Sequence, residues 1–290
     1  MQISAHLLPA VAAFAALASA LFSPLAQAQA IAPHAEGEDP VGKPRWEAGL
    51  AAGAARVSDY PGADQRHGRG VVLPVFIYRG PILRVDQGGI RGRVFGSPDW
   101  ELDLTATAAF NARNNDARQG MPDLDYLFGM GPQLVYKGLR HLVGAPTLHL
   151  KTRAVMSTDF DRFDDRGVTF DPEVRWRFGG VAGSRAALTL FVQPTWASKP
   201  LHRYFYQVDA SQATTTRPAY EAKAGYLGTE LGATLSRRHG DSLSWFASAR
   251  LLSLHGAANA DSPLLRDKSN VNVGVGVVWT PWQSRVRVVD

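Results

Sequence analysis

Stretches of alternating apolar and polar residues follow one another along this chain after residue 45, with turn-rich segments between them. In the clearest stretch, Trp100, Leu102 and Leu104 alternate with Glu101 and Asp103. Because successive side chains of a strand point to opposite faces, each stretch predicts a strand with one apolar and one polar face. Strands of soluble sheets usually run over roughly 5–6 residues, whereas these reach the ~9–11 residues that a tilted strand needs to cross a bilayer. The pattern predicts an all-β fold, an antiparallel transmembrane β-barrel.

The first thirty residues have the features of a secretory signal peptide. An apolar, Ala-rich run from Leu7 to Phe22 precedes small-residue cleavage sites at Ala28 and Ala30, although the segment carries no Lys or Arg. We expect cleavage after one of these two alanines. Residues 31–45 are polar and rich in proline, which predicts a flexible periplasmic lead-in. Export together with the strand pattern predicts a location in the cell outer membrane.

The barrel is expected to span residues 46–279 as one domain, followed by a C-terminal tail over residues 280–290. Short links should be periplasmic turns and long links extracellular loops. This alternation is consistent for twelve strands if residues 81–95 form a hairpin; ten strands remain if that hairpin folds elsewhere. The predicted strands cover residues 46–57, 70–79, 81–86, 90–95, 100–111, 126–136, 147–157, 168–178, 186–197, 223–236, 242–254 and 269–279.

The composition of the chain argues against several classes of protein. The formal net charge is +5, but no block of Lys and Arg stands out, so nucleic acid is not an expected partner. The chain contains no cysteine, which excludes disulfides and thiolate metal sites. The mean hydropathy of −0.14 is unlike that of a helical membrane protein, whereas a barrel escapes such a measure because half of each strand is polar.

Charged residues of the predicted strands should line the barrel lumen, because a charge on the lipid face is costly. The sequence leaves two interpretations open, a self-neutralising interior that fills the barrel and a charge-selective pore. The presence of both signs of charge favours the filled interior. The candidate lumen-lining residues are Glu101, Asp103, His149, Lys151, Arg153, Glu173, Arg175 and Arg177.

No residue pattern predicts an enzyme, a cofactor site or a metal site. None of the eight histidines lies in a recognised hydrolase or zinc-binding motif. Five aspartates cluster around the loop over residues 158–167, but interleaved arginines and the lack of an EF-hand frame favour a solvated loop over a Ca²⁺ site. These are Asp159, Asp161, Asp164, Asp165 and Asp171.

Short motifs in the predicted loops resemble the MipA/OmpV family of MltA-interacting outer-membrane proteins. The similarity runs from about Trp46 to Trp279. It departs from the family pattern at the C-terminus, because barrel chains of this family end on an aromatic residue that closes the last strand, whereas here residues 280–290 follow Trp279. The loop residues that carry the resemblance are Tyr60, Pro61 and Gly62, then Tyr204 and Tyr206, and finally Asp261, Ser262 and Pro263.

The resemblance implies an outer-membrane barrel of Gram-negative bacteria with no catalytic residues to carry over. The founding member is viewed as a scaffold that links a lytic murein transglycosylase to a murein synthase, and other members are described as porin-like or as host-interaction proteins. We therefore expect a non-enzymatic peptidoglycan scaffold, surrounded by outer-membrane lipid, with a murein transglycosylase and a murein synthase as partners. A narrow porin-like diffusion channel for small solutes is the alternative, and an enzyme ranks last.

Overall fold

The computed structural model describes residues 42–79, 83–86, 89–181 and 186–288. The predicted signal peptide and residues 31–41 of the predicted lead-in lie outside this part. The described elements include one α-helix, α1 (Lys199–Tyr206), and two 3-10 turns, Asp116–Arg118 and Ala210–Gln212. The strands are β1 (Lys43–Pro44), β2 (Trp46–Ser58), β3 (Arg66–Arg79), β4 (Leu83–Asp86), β5 (Gly89–Gly96), β6 (Trp100–Ala109), β7 (Tyr126–Tyr136), β8 (Thr147–Thr158), β9 (Phe163–Gly179), β10 (Ala186–Ala197), β11 (Gly225–His239), β12 (Leu243–Ser253), β13 (Ser269–Gln283) and β14 (Arg287–Val288).

Strands β2 to β13 form a closed antiparallel barrel, as the alternating sequence predicts. Each strand pairs with its neighbours along the chain, and β13 pairs with β2 to close the sheet. Closure leaves none of these strands at an edge, which is the requirement for a sheet surrounded by lipid. The short strands β1 and β14 form a separate two-stranded sheet where β2 begins and β13 ends.

The predicted hairpin over residues 81–95 corresponds to β4 and β5, which pair with each other and complete the barrel between β3 and β6. β4 has 4 residues and β5 has 8, fewer than the ~9–11 that a crossing strand needs. The choice between twelve and ten membrane-spanning strands therefore stays a prediction.

Several strands extend further than the sequence indicated. β3 begins at Arg66 rather than residue 70, and β9 begins at Phe163 rather than residue 168. Both extensions continue a ladder beyond the alternating stretch, since Ser58 pairs with Arg66 and Thr158 with Phe163. β13 runs past Trp279 to residue 283, because a register shift there lets the chain pair with β2 again.

The barrel wall has the two faces that alternation predicts. On β13, Val271, Val273, Val275, Val277 and Trp279 are exposed, whereas the residues between them are buried or half-buried. The main buried apolar cluster lies at the end of the barrel that carries the long loops, where Tyr60, Leu201, Phe205, Tyr206 and Leu254 are among its members. No helix in the described ranges is long and apolar enough to span a bilayer.

Candidate functional site

A network of ion pairs lies on the buried face of β8, β9 and β10. Lys151 donates to Glu173 Oε2 at 2.5 Å and to Gln193 Oε1 at 2.8 Å. Arg175 pairs with the other Glu173 oxygen at 2.6 Å. Lys151 and Gln193 lie on strands that do not pair with each other, so their side chains meet across β9 on one face of the sheet. Glu173 is thereby held between two cations.

Asp171 forms a second centre on the same face. Its carboxylate accepts hydrogen bonds from Arg153 Nη1, Thr169 Oγ1 and Thr195 Oγ1, each at 2.8 Å. Asp171 lies within β9, inside the predicted strand over residues 168–178, two residues before Glu173 and on the same face, and so it does not belong with the aspartates of the 158–167 loop. Asp164 and Asp165 also belong to β9. Within the described ranges, no group of three or more His, Asp or Glu residues is arranged to hold a metal ion.

The eight candidate lumen residues occupy alternate positions of their strands. Glu101 pairs with Lys137, and Thr147 Oγ1 lies 2.8 Å from His149 Nε2. Arg153 pairs with Asp171, which lies on the same face of β9, one inward position away from the residue opposite Arg153. Glu101, Asp103, His149, Lys151 and Glu173 are buried, and Arg153, Arg175 and Arg177 are half-buried.

Four loops close the long-loop end of the barrel, and we call this assembly the plug: residues 59–65, 110–125, 198–224 and 254–268. Its centre is α1, which presents Leu201, His202, Phe205 and Tyr206 as one buried face. Leu201 and Phe205 are four residues apart, as are His202 and Tyr206, the spacing that puts side chains on the same side of a helix. The longest loop therefore contains a helix that packs into the core of the plug.

The family-motif residues of three loops meet inside the plug. Tyr206 donates to the Pro61 carbonyl at 2.8 Å, and Ser262 Oγ donates to the Tyr206 carbonyl at 2.9 Å. Tyr60 donates to the Leu264 carbonyl at 2.8 Å. The carbonyl of Gly62, where φ is +88°, accepts from two backbone amides of the last loop. Each motif thus supplies a contact that locks two distant loops together.

Buried tyrosines and arginines of the plug act on backbone groups. Burial raises the pKa of Tyr204 to about 12 and raises those of Tyr60 and Tyr206 as well, so all three hydroxyls stay protonated donors. Arg118 donates to the Phe205 carbonyl at 3.1 Å, and burial lowers its pKa. Arg217 donates to the carbonyls of Ala117, Gln119 and Gln212. These bonds satisfy carbonyls that no strand or helix satisfies.

His202 is fully buried and held in one neutral tautomer. Asn259 Oδ1 accepts from the Lys223 amide while its Nδ2 donates to the Lys223 carbonyl, which fixes the orientation of the amide. Asn259 Nδ2 also donates to His202 Nδ1 at 2.8 Å, so His202 Nε2 carries the proton and donates to the Gly225 carbonyl at 3.1 Å. Burial lowers the pKa of His202. A second proton on the ring would break the bond from Asn259.

A cavity of about 170 Å³ lies between loops of the plug and the adjoining strands of the barrel. Asp59, Arg69 and Asn111 contribute polar groups to its wall, and Tyr204 and Phe205 contribute aromatic ones. Asp59 Oδ1 lies 2.5 Å from His67 Nδ1, and Arg69 donates to the Asn111 carbonyl at 3.1 Å. The polar groups of this wall are therefore partly engaged with one another.

Several residues that organise these regions carry little or no signal in the sequence. Glu47 is buried at the opposite end of the barrel, where it pairs with Arg79 at 2.7 Å and accepts from Thr280 at 2.8 Å. Its place between Trp46 and Ala48 in an alternating stretch was a usable signal. Arg118, Arg217, His202 and Asn259 act through contacts far apart in sequence, and no local pattern marks them.

Two solved structures match the chain at low sequence identity. An outer-membrane channel from Pseudomonas putida F1 has 12% identity and a TM-score of 0.45, with 84% of this chain and 98% of that chain covered. The toluene transporter TbuX of Ralstonia pickettii has 9% identity and a TM-score of 0.26, with 84% and 72% covered. No curated protein matches the chain.

The family comparison covers most of the sequence. The model described as MltA-interacting protein MipA matches residues 50–281, which includes the barrel strands from within β2 to within β13 and all four plug loops. A closed barrel with an apolar outer face and a polar inner one is the form in which β-sheet crosses the outer membrane. The chain is an outer-membrane β-barrel protein that belongs to the MipA family of MltA-interacting proteins.

Proposed function

We propose that this protein is a sealed, non-enzymatic scaffold in the outer membrane that holds a murein transglycosylase, and with it a murein synthase, at the periplasmic side. The observation that carries the proposal is the plug, a buried apolar core that closes the long-loop end of the barrel. A barrel closed in this way offers partners its periplasmic face rather than a passage. The family description, which refers to interaction with MltA, supports a transglycosylase as the first partner.

In this proposal the eight candidate residues line a lumen that their own pairing fills. Burial of Lys151 and Glu173 to 4% and 2% exposure supports it, because water or a solute in an open pore would leave such side chains accessible. The pairing of both carboxylate oxygens of Glu173 also supports a static interior. Charges that are already neutralised at short distance have little left to offer a passing ion.

The periplasmic ribbon, residues 42–45 and 284–288, is the surface we assign to partner binding. The Arg45 amide donates to the Val286 carbonyl at 2.8 Å, and Arg287 donates to the Gly42 carbonyl at 3.1 Å, so the two ends of the described chain are joined. Arg45, Arg285 and Arg287 are exposed on the ribbon. This basic, structured surface favours a protein partner with acidic groups.

The cavity beneath the plug favours the alternative function, a narrow diffusion channel. Its wall combines charged and amide groups with aromatic rings, as binding sites for small polar solutes do. Passage through it requires movement of α1, since Phe205 belongs both to the cavity wall and to the buried core of the plug. The channel interpretation therefore depends on a plug that opens.

Conductance in planar bilayers distinguishes the two functions. We expect no stable conductance steps from the wild-type protein, and steps from a variant in which residues 199–222 are replaced by a short Gly-Ser linker. Retained resistance of both proteins to unfolding by detergent on gels verifies that the barrel is intact. Large, stable steps from the wild-type protein would establish the channel and overturn the sealed scaffold.

Partner binding tests the scaffold itself. Immobilised protein should capture a purified murein transglycosylase, and the R285Q/R287Q variant should capture less, because two exposed cations of the ribbon are lost. R203Q, which removes an exposed cation from the plug at the other end, is the matched control and should bind as wild type does. Hydrolysis of murein by the purified protein alone would contradict its non-enzymatic role.

A further inference from the structure

A shallow groove of about 460 Å³ runs over the outer wall of the barrel across β12, β13, β2 and β3. It lies beside the large exposed side chains Val72 and Phe76, which stand further along β3 on the same face. The groove exists because small residues occupy consecutive outward positions of adjacent strands. The small outward-facing residues of its lining are Ala54, Gly68, Gly70 and Ala247, with Val273 and Val275 beside them.

The two glycines are not required by the barrel itself. A Cβ built on Gly68 meets no atom within 4 Å, and one built on Gly70 meets only the Gly53 carbonyl oxygen, at 3.9 Å. Neither residue has the positive φ that favours glycine. Glycine inside a strand weakens it and often marks a bulge, a bend of the barrel or a place where a ligand or another backbone approaches closely. The space above Gly68 and Gly70 is thus left open toward the lipid.

Two arginines stand at the long-loop end of the groove. Arg56 on β2 pairs with Gly68 on β3. Arg66 occupies the next outward-facing position of β3 toward the long loops, where it pairs with Ser58. Arg56 is exposed and makes no hydrogen bond or ion pair with any residue in the described ranges. Arg66 has one loose partner, Asp267, at 3.8 Å. An arginine on the outer wall of a barrel is costly unless it reaches the head-group layer and an anion there.

We propose that this groove binds a phosphorylated glycolipid of the outer leaflet, with a phosphate on Arg56 and Arg66 and an acyl chain over Gly68 and Gly70. The long loops place this end of the barrel at the extracellular surface. The lipid layer there is the one whose phosphates lie at the level of the two arginines. Guanidinium groups bind phosphate oxygens in paired hydrogen bonds, and the groove lining offers hydrocarbon an apolar contact.

Binding of purified diphosphorylated lipid A to the full barrel in detergent, measured by native mass spectrometry, tests the site. R56Q and R66Q should each weaken binding about fivefold, and the double variant roughly thirtyfold, from the attraction that each membrane-surface cation supplies. G68L should weaken binding too, because it fills the groove while its Cβ meets no neighbour. The matched controls are R237Q, an exposed arginine at the short-turn end, and A154L, an exposed small residue on β8.

Each result supports or overturns the proposal. Weaker binding by R56Q/R66Q and by G68L, with both controls unchanged, supports it. Equal binding to wild type and to these variants would overturn it. Phosphatidylglycerol that binds as tightly as lipid A would show that the site does not select the outer-leaflet glycolipid. A dimer by light scattering that G68L abolishes, without loss of lipid binding, would assign the groove to a second copy of the chain.

Discussion

The barrel interior and the plug differ in the kind of side chain that they mainly bury. At the level of β8 to β10, Lys151, Asp171 and Glu173 are buried beside the apolar Phe191, and most apolar residues face outward. In the plug, Leu201 and Phe205 are buried, as they would be in a water-soluble protein. The reason is the surrounding solvent: lipid around the barrel wall excludes charge, whereas water around the plug excludes hydrocarbon.

The difference extends to how polar groups are satisfied. Inside the barrel, charged side chains bind each other, as Arg153 binds Asp171 at 2.8 Å. In the plug, side chains bind backbone groups, as Tyr206 binds the Pro61 carbonyl. Strands satisfy their own backbones through the ladder, so their side chains are free to pair. Loops have no ladder, and their carbonyls need side-chain donors.

The largest effect should come from removing one charge of the interior network. We expect E173Q to lower the free energy of unfolding by about 3–5 kcal/mol, because the buried Lys151 and the half-buried Arg175 then lose their counter-charge. Guanidinium unfolding in lipid vesicles, followed by tryptophan fluorescence, measures it. E221Q is the control, since Glu221 forms an exposed pair with Lys199 and its loss should leave stability unchanged. If E173Q lowered the stability no more than E221Q does, water would be screening the charges of the barrel interior.

A smaller and local effect should follow from removing one plug hydroxyl. Y206F leaves the Pro61 carbonyl without its buried donor, so opening of the plug should become easier by about 1–2 kcal/mol. Hydrogen exchange of the α1 amides measures this opening. Y226F is the matched control, because the Tyr226 hydroxyl bonds to Thr229 on the barrel wall. Exchange that rises equally in both variants would contradict a separately folded plug.

The smallest effect should be a dependence of the plug on pH. His202 is neutral in the folded plug and its pKa lies below the ordinary value of 6.5, so the unfolded plug binds the proton more readily. The stabilisation of the folded plug that comes from neutral His202 is complete above about pH 6.5. It is lost as the pH falls below that value, by at most about 1.4 kcal/mol for each pH unit. Proteolysis within residues 199–222 should therefore accelerate on acidification. H202Q should remove this dependence, whereas H239Q, at an exposed position, should retain it.

Much of the barrel could be predicted from the sequence, because the face to which a strand residue points depends only on its position along the strand. The alternation around Glu101 and Asp103 predicted their strand and the burial of one face correctly. The same rule, applied to residues 46–48, would have found Glu47. The predicted boundaries of β3 and β9 were less accurate, because strand pairing continues beyond the residues that alternate between apolar and polar.

The plug was predictable only in outline. The family-motif residues marked the loops, but nothing in the sequence placed Tyr60 against Leu264, 204 residues away, or Tyr206 against Pro61, 145 residues away. Arg118 and Arg217 carried no local signal because their partners are backbone carbonyls, which every residue has.

The sequence by itself determined that the chain forms strands with one apolar and one polar face, since that property depends only on residue order and the geometry of a strand. The tertiary structure decided which charges neutralise one another, how four loops share one core, and that Arg56 stands above a groove of small residues. These features depend on closure of the sheet between β13 and β2 and on contacts between distant loops. They appear only when segments far apart in the chain are brought to neighbouring positions.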